Sequence, residues 1–179
     1  ARPRHLRPLR LQPPSERELP GASSRVRVLV GMLRAILDSG DDERVLVFAQ
    51  WAAHIQYLAT TLQAAGVAYL TLGSSLSESM RSLQAFGQPG QPRVLLMSSQ
   101  RHASGINLQM ARHVVILHPY CTPTARNARQ LSTNEMASYE RQAIGRVRRF
   151  PQQRQVEVYK LFAPGTVEEE VVTGRIQQA

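Results

Sequence analysis

From residue 23 onward, apolar positions recur first with a helical period and then in short unbroken runs, and the two patterns alternate. Val26, Leu29, Val30, Leu33, Ile36 and Leu37 share one face of a helix that Ser23 or Ser24 caps and Gly40 closes. Val45-Leu46-Val47-Phe48 reads as a buried strand, and Trp51 to Ala65 as a helix stopped by Gly66. Val67 to Leu72 is a second strand, after which Gly73-Ser74-Ser75 turns into a helix reaching Phe86. Arg93 to Ser98 is a third strand, Ser104 to Met110 a short helix or turn, and His113 to Leu117 a fourth strand. Pro119 to Thr133 is polar and irregular, and a helix then runs from Glu135 to about Phe150. Gln155 to Phe162 is a fifth strand. Thr166 caps a last helix, whose acidic opening Glu168-Glu169-Glu170 suits a helix N-terminus.

Apolar strands alternating with helices predict an α/β fold, a parallel sheet with helices on both faces. Ligands of such sheets bind beyond the carboxyl ends of the strands. That places Ala49–Trp51, Gly73–Ser75, Ser98–Gly105 and the segment after Leu117 at the candidate site. Residues 1–22 hold Pro3, Pro8, Pro13, Pro14 and Pro20 without any period, and are expected to be an extended, mobile linker or tail. Residues 23–179 remain as one domain, long enough to bury a proper core. The first residue is Ala1, so the chain is expected to be a piece of a longer polypeptide.

Charge narrows the function. The net charge of +9 lies wholly in two stretches, residues 1–25 at +4 and residues 126–154 at +5. Two basic segments on a neutral body suggest a polyanionic partner, nucleic acid first and nucleotide phosphate second. No apolar run approaches the roughly 18 residues of a membrane span, so no membrane partner is expected. The single cysteine, Cys121, excludes an intrachain disulfide and a thiolate-rich zinc site. The five histidines show no metal-ligand spacing, and Ser98 and Ser99 have no recognisable His/Asp arrangement for a hydrolase. Lys160 is the only lysine and sits within a strand, so no Gly-x-x-x-x-Gly-Lys-Ser/Thr phosphate loop exists here. No acidic pair follows an apolar strand to hold magnesium.

What remains is an arginine pair and a loop of small polar residues. On a continuous helix Gln142, Arg146 and Arg149 would share one face. Two guanidinium forks side by side suit a polyphosphate, although a solvated basic helix face is the plainer reading. Backbone N–H groups of Ser98-Ser99 and of Ala103-Ser104-Gly105-Ile106-Asn107-Leu108 could reach phosphate oxygens.

Taken in order, these pieces resemble the second RecA-like lobe of superfamily-2 helicases of the SWI/SNF type. Phe48-Ala49-Gln50-Trp51 is similar to the family's fourth motif, and Leu72-Gly73 with Arg81 and Phe86 to the stretch after it. Leu95–Ser98 through Gly105-Ile106-Asn107-Leu108 and Ala111–Val114 resembles the fifth motif, and Gln142-Ala-Ile-Gly-Arg146 through Arg149 and Gln152 the sixth. Val158–Leu161 with Gly165–Glu169 resembles the closing strand and helix. The chain departs from the family at Arg101-His102-Ala103, at His118-Pro119 where Asp-Pro is usual, and at Pro151. Its long gap from Pro119 to Gln142 is closer to the branch with RING-finger repair ATPases and fungal DNA methyltransferase ATPases.

The resemblance implies a motor lobe of a nuclear, DNA-dependent ATPase, working in chromatin remodelling or DNA repair. It implies ATP with Mg2+, the magnesium ligands and phosphate loop lying on an N-terminal RecA-like lobe of the same polypeptide. Arg149 and Arg146 would be the catalytic arginines, and Gly105, Gln142, Arg146 and Arg149 would face the nucleotide. Gly73, Ser98, Ser99 and Asn107 would face double-stranded DNA, and chromatin proteins are further candidate partners. By itself the chain would be inactive. The alternatives are a degenerate, non-catalytic lobe serving as a DNA- or protein-binding module, and an RNA helicase lobe.

Overall fold

Alternate residues of one strand, β1 (Val45–Ala49), serve two separate cores. Val45, Val47 and Ala49 pack beneath α1 (Ser24–Leu37) and α2 (Ala52–Ala64). Leu46 and Phe48 face the other way, toward Phe86 of α3 (Leu76–Gly87) and Ala143 of α4 (Thr133–Gly145). All five β1 residues are buried, which is why the strand is apolar throughout rather than alternating. The computed structural model describes residues 11–98, 108–120, 133–149 and 152–177.

Around β1 the sheet is parallel throughout. With β2 (Leu70–Thr71), β3 (Val94–Ser98), β4 (His113–Ile116) and β5 (Glu157–Lys160), its order is β2-β3-β1-β4-β5. Val45 is level with Val94 on one side and His113 on the other, so the strands end together at Ala49, Ser98 and Ile116. A last helix, α5 (Val167–Gln177), begins where the Thr166 hydroxyl accepts from the Glu168 N–H at 3.2 Å. The expected α/β sheet with helices on both faces is therefore present.

Each helix face is paid for by burial: Leu29, Leu33 and Ile36 of α1 are fully enclosed, each worth about 1.5–3 kcal/mol by transfer. Three arginines from the charge-balanced middle of the chain close helix C-termini. Arg34 donates to the Ala65 carbonyl at 2.9 Å, Arg93 to that of Leu37 at 3.0 Å, and Arg44 Nε to that of Phe86 at 2.7 Å. Cations at those ends complement the helix dipole while satisfying carbonyls the helix leaves over.

Several sequence expectations change. Of the stretch expected to be an extended, mobile tail, residues 11–22 are seated on α1: Pro14, Leu19 and Ala22 are buried. A Cβ on Gly31 would come within 2.9 Å of the Gln12 carbonyl and Pro13, so α1 carries glycine where this segment crosses it. β2 and β5 are shorter than expected, because each is an edge strand and is paired only where its single neighbour reaches. The most consequential change is that α4 ends at Gly145 rather than near Phe150. The Arg146 N–H bonds back to Ala143 and the Val147 N–H to Ile144, tightening the last turn. The Arg146 carbonyl, which a continuing helix would offer to residue 150, instead accepts the Leu108 N–H at 3.1 Å.

Candidate functional site

Gly145 to Arg149, together with Gln152, are strapped onto residues 108–111, the segment leading into β4. Besides the Leu108 to Arg146 bond, Gln152 Nε2 donates to the carbonyls of Gln109 at 2.6 Å and Ala111 at 3.0 Å. The Gln152 backbone N–H donates to the Arg149 carbonyl at 2.7 Å. Arg146 and Arg149 therefore do not share a helix face with Gln142, which lies exposed on α4. They remain electrostatic neighbours: burial, and then the charge of Arg149, press the Arg146 pKa below its ordinary value.

Arg149 and Arg148 are exposed, and they line an open groove of about 530 Å³ with Gln152, Arg154 and Gln155. Arg154 is anchored by Glu43 at 2.6 Å. Glu43 belongs to a buried network at the amino end of the sheet, bonded to Arg112 at 2.9 Å and to His113 at 2.9 Å. Burial opposes its ionisation. The bond from His113 and the charges of Arg112 and Arg154 win, holding its carboxyl below the usual range. The groove thus has one braced wall, Arg154, and one exposed pair of forks, Arg148 and Arg149. Such a surface suits the spread negative charge of a polyphosphate.

At the carboxyl ends of the strands, Ser98 closes β3 level with Ala49 and is 6% exposed. Gly73 stands before α3, and a Cβ there would collide with Glu78. The reason is a capping box. Glu78 Oε2 accepts from the N–H groups of Ser74 at 2.9 Å and Ser75 at 3.2 Å, while the Ser75 hydroxyl accepts from the Glu78 N–H. These donated bonds hold the Glu78 carboxyl below its ordinary pKa, so a carboxylate already occupies the donors a phosphate would use. Ser99, Gly105 and Asn107 lie outside the described residues.

His54 of α2 and His118, which have no metal-ligand spacing in sequence, meet beyond the ends of β1 and β4, their rings 5.0 Å apart and near perpendicular, a pairing the sequence does not foretell. Nor does it foretell the Gln152 latch, for which no short-range pattern exists. The Ser75-x-x-Glu78 box, by contrast, was readable as spacing. Among the described residues, no group of three or more His, Cys, Asp or Glu side chains could hold a metal ion. Lys160, whose position excluded a phosphate loop, bonds Glu140 of α4 at 2.8 Å.

Comparisons with known proteins bear on the family and the fold. The family model described as helicase conserved C-terminal domain matches residues 26–151. The chain is 32% identical over 85% of its length to the DNA (cytosine-5-)-methyltransferase DMT5 of Cryptococcus neoformans, spanning 6% of that protein. It is 29% identical over 84% of its length to the DNA repair protein rad8 of Schizosaccharomyces pombe, spanning 12% of it. To the DNA repair protein RAD5B of Arabidopsis thaliana it is 32% identical over 82% of its length, spanning 11%. In fold it is similar to the crystal structure of the C-terminal part of the Fun30 ATPase domain. That match has a TM-score of 0.68 and 23% identity, and covers 84% of this chain and 45% of the other.

Proposed function

The chain belongs to the helicase conserved C-terminal domain family, and we propose that it is the second motor lobe of an ATP-dependent double-stranded DNA translocase of the SWI/SNF type. The observation that carries this reading is the latched turn after Gly145, tied down by Gln152, which presents exposed Arg149 beside half-buried Arg146. Two neighbouring guanidinium groups match the several oxygens and spread charge of a polyphosphate, which supports this reading.

Hydrolysis of ATP at such a site is a phosphoryl transfer, in which charge spreads over the oxygens of the transferred group. Arg149, the more exposed, is the finger that meets this charge, with Arg146 as its partner and Gly105 facing the nucleotide. The phosphate loop, magnesium ligands and catalytic acid are supplied by a first lobe. Gly73, Ser98, Ser99 and Asn107 face the duplex backbone, read by charge and shape rather than by base edges. A repair or remodelling motor of this kind works in the nucleus, where chromatin proteins are further partners.

The test compares the chain alone with the chain joined to a lobe carrying the phosphate loop. Alone it hydrolyses no ATP. Joined, it hydrolyses ATP when duplex DNA is added, and duplex RNA does not substitute. A joined protein that binds DNA but shows no DNA-stimulated turnover would favour a non-catalytic binding module instead.

A further inference from the structure

We infer that Gln152 is a positioning residue for the arginine pair, fixing where Arg149 is presented. The inference rests on the reading of Arg149 as a finger. Four bonds converge on this one residue. Its two amide hydrogens go to the carbonyls of Gln109 and Ala111, at 2.6 and 3.0 Å. Its side-chain oxygen accepts from the Arg154 N–H at 3.0 Å, and its own N–H donates to the Arg149 carbonyl at 2.7 Å. With the Leu108 N–H held by the Arg146 carbonyl, both arginines of the pair have their backbone tied to one short segment.

The need for such a device follows from where α4 stops. In a continuous helix the i→i−4 ladder would set the direction of Arg149. Here the helix ends at Gly145, one i→i−4 bond still runs from the Arg148 N–H to the Ile144 carbonyl at 3.1 Å, and Arg149 itself bonds back to Val147 instead. Past that point the short-range backbone bonds of the turn are joined by tertiary ones. Gln152 supplies these to residues 41 and 43 positions earlier, across to the segment that feeds β4. Gln152 lines the same groove as Arg149, but its amide hydrogens are already committed to backbone carbonyls rather than offered to a phosphate.

A positioning role makes a specific kinetic pattern. Mispositioning a catalytic group by about 1 Å can cost about 10²-fold in rate while leaving substrate binding intact. In the two-lobe ATPase containing this chain, with duplex DNA at saturation, Gln152→Met keeps the side-chain bulk and removes both donors. Its kcat should fall about 10²-fold, with the KM for ATP unchanged. In the Arg149→Ala background the same substitution should cost nothing further, since a latch has no effect on a finger that is gone.

Three results separate the possibilities. If Arg149→Ala turns over like wild type, the finger reading itself falls. If Arg149→Ala loses turnover but Gln152→Met keeps wild-type kcat, or its loss multiplies with that of Arg149→Ala, the positioning role is overturned and the finger stands. Gln152→Glu, in which a carboxylate faces the same two carbonyls, is the second variant. Failure of both Gln152 variants to fold would overturn the proposal too, leaving Gln152 as a strut for the whole domain.

Discussion

The Nε2 atom of His118 lies 3.1 Å from Nδ1 of His54, and the Gln50 backbone N–H donates to the same Nε2 at 3.3 Å. His118 Nδ1 faces the Pro119 carbonyl at 3.2 Å, so Nδ1 carries the proton and Nε2 accepts from both neighbours. A second proton on His118 would land where two donors already point. Burial is the main reason its pKa lies below the ordinary value, and the charges of His54 and Arg25 push the same way against the Pro119 bond.

Stability should therefore depend on pH with a definite sign. The folded state favours neutral His118, whereas the unfolded chain takes a proton near pH 6.5. The contribution is fully present above about pH 6.5 and is lost as pH falls toward the lower folded value. His113 has the same sign, again through burial. The thermal midpoint should fall between about pH 6.5 and 5, before Glu43 and Glu168 begin to protonate. His118→Gln keeps an acceptor for Gln50 and should make that slope shallower. An unchanged slope would assign the whole effect to His113.

The carboxylate of Glu78 occupies the N–H groups of Ser74 and Ser75 that a DNA phosphate would use under the proposed function. Glu78→Gln should tighten duplex DNA binding several-fold at low salt, with the difference shrinking as salt is added. Equilibrium titration at two ionic strengths reads this directly. Weaker binding by the variant would mean that DNA uses the intact capping box. Gly73→Ala, which forces a Cβ into Glu78, should lower the thermal midpoint by about 2–4 °C.

Lys160 and Glu140 form a bond between β5 and α4 in which the carboxylate is almost enclosed, 4% exposed against 27% for the lysine. Removing the cation alone leaves a buried charge, at a cost of about 3–5 kcal/mol, so Lys160→Met should be strongly destabilising in chemical denaturation. Lys160→Met with Glu140→Gln should recover much of that loss. If the double variant is no better than the single one, the pair is not what joins the two elements.

The alternation of apolar runs and helical periods made the sheet and its two covered faces legible, because β1, β3 and β4 are buried on both sides and are apolar apart from Ser98 at the end of β3 and His113 at the start of β4. Edge strands were overextended, since a run such as Val67–Leu72 is apolar enough for a strand while only Leu70 and Thr71 have a partner. The order of motifs identified the family and pointed to Arg146 and Arg149. Their arrangement was not legible. A helix through Phe150 satisfies local propensity, and only the long-range bonds from Leu108 and to Gln109 and Ala111 show that the chain leaves the helix first. Tertiary bonding overrode propensity at the very place where the candidate site lies.

Arg149 bears the central claim. In the two-lobe ATPase at saturating duplex DNA, kcat of Arg149→Ala should fall by about 10³–10⁵ while DNA affinity holds. A variant that hydrolyses ATP at the wild-type rate would contradict the account.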